Sequence, residues 1–74
     1  EILYVDSPAK LPAINDIEET DTALIGKMFL AAKTIAADAG YGDGYRVQMN
    51  CGEKGGQVVF HIHLHVMAGP GLSA

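Results

Sequence analysis

Disulfides are the first thing this sequence does without. Its 74 residues include one cysteine, Cys51, so no intramolecular bridge can close. Basic charge is also scarce. Five basic residues stand against nine acidic ones, for a net charge of −4 with neutral histidines, and Arg46 is the only arginine. That balance excludes a broad nucleic-acid footprint, which needs clustered Lys and Arg. Any bound phosphate must be held by backbone amides, a helix end and histidines instead. No apolar run approaches the roughly 18 residues of a membrane span, and no segment reads as a signal peptide. With no membrane segment and no disulfide framework, a reducing cytoplasm is the expected setting.

Length is the other shortage. A chain of 74 residues is one small domain, and the whole of 1–74 is read as a single unit. A domain of this size hides only about 60% of the surface that its unfolded chain exposes. Disulfides, a metal or self-association usually compensate. Hydrophobic residues make up 49% of the chain, so a homodimer is the expected remedy.

What is present is well patterned. Ile2-Leu3-Tyr4-Val5 is a short apolar run closed by Asp6-Ser7-Pro8 and reads as a strand. Pro8 and Pro12 argue against regular structure until about Asn15. Leu24, Met28, Ala32 and Ile35, flanked by Ile25, Phe29 and Ala36, then recur at helical spacing. Asp16, Glu18, Glu19 and Asp21 crowd the start, where carboxylates suit the positive end of a helix dipole. Thr20 or Asp16 is the candidate N-cap, and Gly40 suits a left-handed C-cap. One helix is therefore expected over 18–39, with more than one apolar stripe: one for its own sheet and one for a partner.

After a turn at 41–44, Tyr45 to Met49 alternates as a strand does, and 51–56 is a glycine-rich loop. Residues 57–67 read as the longest strand, pairing with 45–49 as an antiparallel hairpin. The tail, 68–74, has no periodicity. The expected fold class is α+β: a small antiparallel meander sheet packed against one long helix.

Within the last strand, alternate residues share a face. His61, His63 and His65 therefore lie together, about 7 Å apart per step, while Phe60, Ile62, Leu64 and Val66 form an ordinary core face. These three are all the histidines in the chain. Histidine serves as acid, base, nucleophile or metal ligand near neutral pH. A solvated polar face is one account of the row. Zinc binding is another, with Cys51, Asp43 or Glu53 as the residues available to complete a tetrahedron. A phosphate site with a histidine nucleophile is the third. Gly55-Gly56-Gln57 precedes the strand and lets main-chain N–H groups approach an anion. Asn50, across the loop, has the reach for a phosphate oxygen or sugar hydroxyl. Ordinary turn chemistry also explains Gly and Asn here, but beside three aligned histidines the phosphate site is the stronger reading. Cys51 reads as a packed or idle thiol.

His61-Ile62-His63-Leu64-His65-Val66-Met67 matches the motif of the histidine-triad (HIT) family. The surroundings resemble its Hint branch, the nucleoside phosphoramidate hydrolases, through Gly44-Tyr45-Arg46-Val47, Asn50 with Gly52, Gly55-Gly56-Gln57, Leu24-Ile25-Gly26 and Ala36-Ala37-Asp38. The resemblance covers roughly residues 13 to 69. It implies a HIT-like fold, a homodimer formed through the long helix and a strand, and purine nucleoside 5′-phosphoramidates as substrates. It implies that His63 attacks the α-phosphorus to give a nucleotidyl-histidine that water hydrolyses, with a main-chain carbonyl near His61 holding its other nitrogen. His65 would contact phosphate and handle the leaving amine's proton, with His61 completing the catalytic set. Asn50, Gly56, Gln57 and Val58 would surround the ribose and phosphate. No metal or cofactor is required.

Five features depart from that pattern. Val58 stands where the branch often has serine. Neither Glu1 nor Ile2 replaces a histidine common before the first strand, and Asp6-Ser7-Pro8-Ala9-Lys10 fits poorly to a Pro-Lys segment followed by His. The branch's Trp- and Pro-containing tail has no counterpart. The helix and two strands that open a full domain are also not in this sequence, which resembles the last two-thirds of one. It is expected to be either a shortened relative or part of a longer protein.

Overall fold

The computed structural model describes residues 1–72. Strand β1 (Ile2–Asp6) leads through two single-turn 3-10 helices, Ile14–Asp16 and Glu19–Asp21, into helix α1 (Thr22–Asp38). Strand β2 (Arg46–Gln48) follows, then a 3-10 turn at Glu53–Gly55 and strand β3 (His63–Met67). The sheet is antiparallel throughout, in the order β1-β3-β2. The class is α+β, with three strands against one long helix.

β3 is central because both of its edges are paired. Asp6 lies opposite His63, Tyr4 opposite His65, and Ile2 opposite Met67. On the other side Gln48 lies opposite His65 and Arg46 opposite Met67. Alternation sends Ile62, Leu64 and Val66 to one face, each only 1% exposed. They pack on Met28, Ala32 and Ala36 of α1, equally buried. The small alanines at i and i+4 let the helix lie close to the sheet. Leu3, Val5, Val47 and Met49 extend this core from the flanking strands and the loop beyond β2.

The helix starts later than the crowding of carboxylates suggested. Neither Thr20 nor Asp16 caps it: Asp21 holds the N-cap position, without a side-chain bond to the helix. Asp16 Oδ2 instead accepts from the N–H of Ala13, and Asp21 Oδ2 from the N–H of Glu18. These carboxylates close the 3-10 turns, which explains why the helix cannot begin at 18. Its end is as expected. Gly40 is left-handed (φ 89°), the Tyr41 N–H donates to Ala36 O, and the Gly40 N–H donates to Ala37 O.

The last strand is shorter than 57–67. β1 leaves the ladder at Ser7–Pro8, so the paired register on that side begins at His63. The Ile62 N–H donates to Leu11 O, and Ile62 O accepts from Ser7 N–H, anchoring the approach to the strand. Residues Val58, Val59 and Phe60 are exposed, at 87%, 57% and 55%. His61 thus sits just before the strand, although the alternation of burial continues through it. The expected hairpin with β2 exists, but its connection is the irregular stretch 49–62, not a short glycine loop. Residues 68–72 carry no regular structure, and the rest of the tail, Ser73-Ala74, lies outside the described residues. Among the described residues no helix is long and apolar enough to cross a membrane.

Candidate active site

The second face of β3 points His63 and His65 away from the core. Their rings stack, with centroids 4.9 Å apart and planes 23° from parallel. Tyr4 of β1 meets both, at 5.2 Å from His65 edge-on and 6.1 Å from His63. Together with Asp6, Val58 and Val59 these side chains line an open cavity of about 310 Å³. Tyr4, Asp6 and Val59 were not among the residues expected there. A signal was present, since Tyr4 and Asp6 alternate with the apolar Leu3 and Val5, but only the register with β3 makes it point to this site.

His63 is held by main chain. Its Nδ1 lies 2.7 Å from the carbonyl oxygen of His61. A carbonyl only accepts, so the neutral imidazole carries its proton on Nδ1 and its lone pair on Nε2. Nε2 makes no hydrogen bond among the described residues. A free lone pair on a ring lining a cavity has the form of a nucleophile. His61 is outside the cavity lining. Its Nε2 donates to Ser7 O at 2.7 Å, which pins the residue whose carbonyl holds His63. Ser7 is itself buried, and its hydroxyl both donates to Ala9 O and accepts from Ala9 N–H. A tight turn after β1 thereby fixes His61, and His61 fixes His63.

The glycine loop differs from the expectation of an anion cradle. The N–H groups of Gly55 and Gln57 donate to Gly52 O, and that of Gly56 donates to Glu53 O. All three are turned inward to close the 3-10 turn, so none is presented to an anion. Gly56, at φ 89°, serves the turn. Gln57, expected to help hold ribose and phosphate, is 4% exposed, with its amide fully engaged. Its Nε2 donates to Pro12 O at 2.6 Å and to Val59 O at 3.1 Å, while Oε1 accepts from Gly52 N–H at 2.8 Å. In this geometry it braces the loop. Asn50 is likewise engaged, accepting from Gln48 Nε2 at 2.9 Å and reaching Gly56 O at 3.4 Å. Val58 contributes differently. Its N–H has no partner among the described residues, and its side chain forms part of the cavity lip.

Among the described residues no three His, Cys, Asp or Glu side chains converge as a metal site. Cys51 is a free, half-buried thiol away from the cavity lining.

Comparison with known proteins agrees with this arrangement. The HIT domain model matches residues 8–71. An uncharacterised HIT-like protein of Synechocystis is 46% identical over 59 residues, covering 80% of this chain and 52% of its own length. One from Synechococcus elongatus is 42% identical over 66 residues, covering 86% and 58%. Among solved structures, a HIT family hydrolase from Legionella pneumophila superposes with a TM-score of 0.93 at 33% identity, over 97% of this chain and 65% of that one. A histidine triad protein from Clostridium difficile gives 0.89 at 30% identity, over 99% and 64%. The chain thus spans little more than half the length of these curated relatives and somewhat under two-thirds of the solved structures. Sequence motif, sheet register and the match over residues 8–71 agree, and the chain belongs to the HIT family.

Proposed function

We propose that this chain carries the catalytic centre of a nucleotide-binding hydrolase acting on purine nucleoside 5′-phosphoramidates, in the manner of the Hint branch. The observation that supports it most is the held tautomer of His63: Nδ1 tied to His61 O at 2.7 Å and Nε2 free on a cavity-lining ring. Nε2 attacks the α-phosphorus, an N–P bond forms, and the bond from phosphorus to the leaving amine breaks. The amine departs with a proton supplied from His65 or water. The imidazole is then cationic, and its Nδ1–H remains against the His61 carbonyl, which stabilises that charge. Water attacks phosphorus and gives its proton to His65 or to bulk water, replacing the one lost with the amine. The N–P bond breaks, and nucleoside monophosphate leaves with neutral His63 restored. Splitting one displacement into two needs no metal or cofactor. The naming of solved relatives as HIT family hydrolases supports the reaction class.

The test is release of fluorophore from a fluorogenic adenosine 5′-phosphoramidate by the metal-free protein, with His63→Ala alongside. Turnover by the parent and its loss in a folded variant is the expected result. Equal turnover by both sinks the proposal. A second reading, a nucleotide-binding module without turnover, is favoured by Val58, whose exposed apolar side chain lines the cavity where the branch often has a hydroxyl. It predicts binding of adenosine monophosphate with no release of fluorophore.

The working unit proposed is a homodimer. Phe29 and Leu30 of α1 are 51% and 63% exposed. Phe29 also borders, with Ile14, Val47 and Met49, an apolar hollow of about 220 Å³. Covering such a surface with a second copy removes it from water. A monomer mass that stays constant with concentration in light scattering would rule this out.

A further inference from the structure

The wall that β1 gives to the histidine cavity consists of Tyr4 and Asp6, neither of which has a part in the reaction as written. Asp6 lies directly opposite His63 in the antiparallel register, and alternation puts its side chain on the same face as Tyr4, His63 and His65. Side chains so paired have Cβ atoms about 5 Å apart. Asp6 is exposed and lines the cavity, and its carboxylate makes no hydrogen bond or ion pair among the described residues. Asp6 also borders a second hollow on the helix side, which it shares with Lys27, but the two form no ion pair. The other lining residues are Tyr4, Val58, Val59 and the two histidines. The one carboxylate in the cavity therefore sits beside the proposed nucleophile, and it has the sign that repels phosphates.

We infer that Asp6 selects substrates by the charge of the group attached to phosphorus. This rests on the reading of the cavity as a phosphoryl site. A substituent with an apolar stem ending in a protonated amine gains from the carboxylate, while its stem lies on Val58, Val59 and Tyr4. A substituent ending in a carboxylate or a further phosphate is repelled, so polyphosphate leaving groups are disfavoured. Residue 58 and residue 6 act together: valine removes a polar contact for the substituent's body, and aspartate supplies a charged one for its end.

The experiment measures binding, by calorimetry on the His63→Ala protein, so that it does not depend on turnover. The probes are two adenosine 5′-phosphoramidates, one made with a diaminobutane and ending in an ammonium, the other made with an aminobutanoate and ending in a carboxylate. The ammonium compound binds about tenfold more tightly at low salt, the size expected of two partly screened charge contacts. Asp6→Asn brings the ratio close to one, and Asp6→Lys inverts it. Raising salt to about 0.5 M, where the screening length falls to a few ångströms, also shrinks the ratio in the unmodified Asp6 background. Equal affinities at low salt, a ratio unmoved by salt, or a ratio unmoved by a folded Asp6→Asn variant overturns the inference and leaves the phosphoryl reading standing. Binding of neither compound overturns both.

Discussion

The two faces of β3 are built from the same five residues and their approach, yet they obey different rules. Ile62, Leu64 and Val66 are 1% exposed and packed on alanines, so their side chains are fixed by volume alone. His61 and His63 on the other face are half-buried and fixed by single hydrogen bonds to main-chain carbonyls, at 2.7 Å each. A packed face tolerates any apolar residue of the right size. A face held by hydrogen bonds tolerates only the ring whose nitrogens stand at the right places. The same strand therefore carries stability on one side and the proposed chemistry on the other, with little cross-talk expected between them.

Substitutions on the two sides break or sharpen that division. The largest effect expected is from His63→Ala, which lowers kcat/KM for the phosphoramidate at least about a thousandfold while leaving the urea midpoint near the parent's. Leu64→Ala, one residue on, does the reverse. It costs about 3 kcal/mol of folding stability through the void it leaves, read as a lower urea midpoint, with turnover per folded molecule preserved. A His63→Ala protein that loses stability as Leu64→Ala does would show that the faces are not separable.

Gln57→Ala probes the loop that borders the histidine face. It strands Pro12 O, Val59 O and Gly52 N–H at once, at about 2 kcal/mol. Hydrogen exchange at the Gly52 amide is the direct readout, and exchange as slow as in the parent would refute the brace. Ser7→Ala is the mildest. The Ser7 carbonyl still accepts from His61, and only the hydroxyl's two bonds to Ala9 are lost. About 1 kcal/mol of stability is expected, seen as a lower thermal midpoint. A thermal midpoint at the parent's value would mean that the turn is held by other means.

What was legible in the sequence follows from how far each feature reaches along the chain. The histidine row shows because a period of two needs only neighbouring residues, and α1 shows because Leu24, Met28, Ala32 and Ile35 repeat locally. The end of the helix shows because Gly40 is its own signal. The start does not, because the same carboxylates suit a helix dipole and a 3-10 turn equally well. Where β3 begins depends on β1 departing at Ser7–Pro8, more than fifty residues earlier in the chain. The places of Tyr4 and Asp6 in the cavity depend on that same register. Gln57 is expected to contact ribose and phosphate from the family resemblance, not from its own surroundings. Its role is set by Pro12, 45 residues away, and no local pattern encodes that distance.

Gln57 also bears on how variation in this family should be read. Its amide donates twice and accepts once, to three points on separate stretches of main chain. Glutamate would set a carboxylate against two carbonyl oxygens, asparagine is one methylene short, and lysine or arginine cannot accept from Gly52. Loop closure by itself therefore restricts drift at this position. An unvarying glutamine here among relatives would record selection for a folded loop, and would say nothing by itself about contact with a substrate.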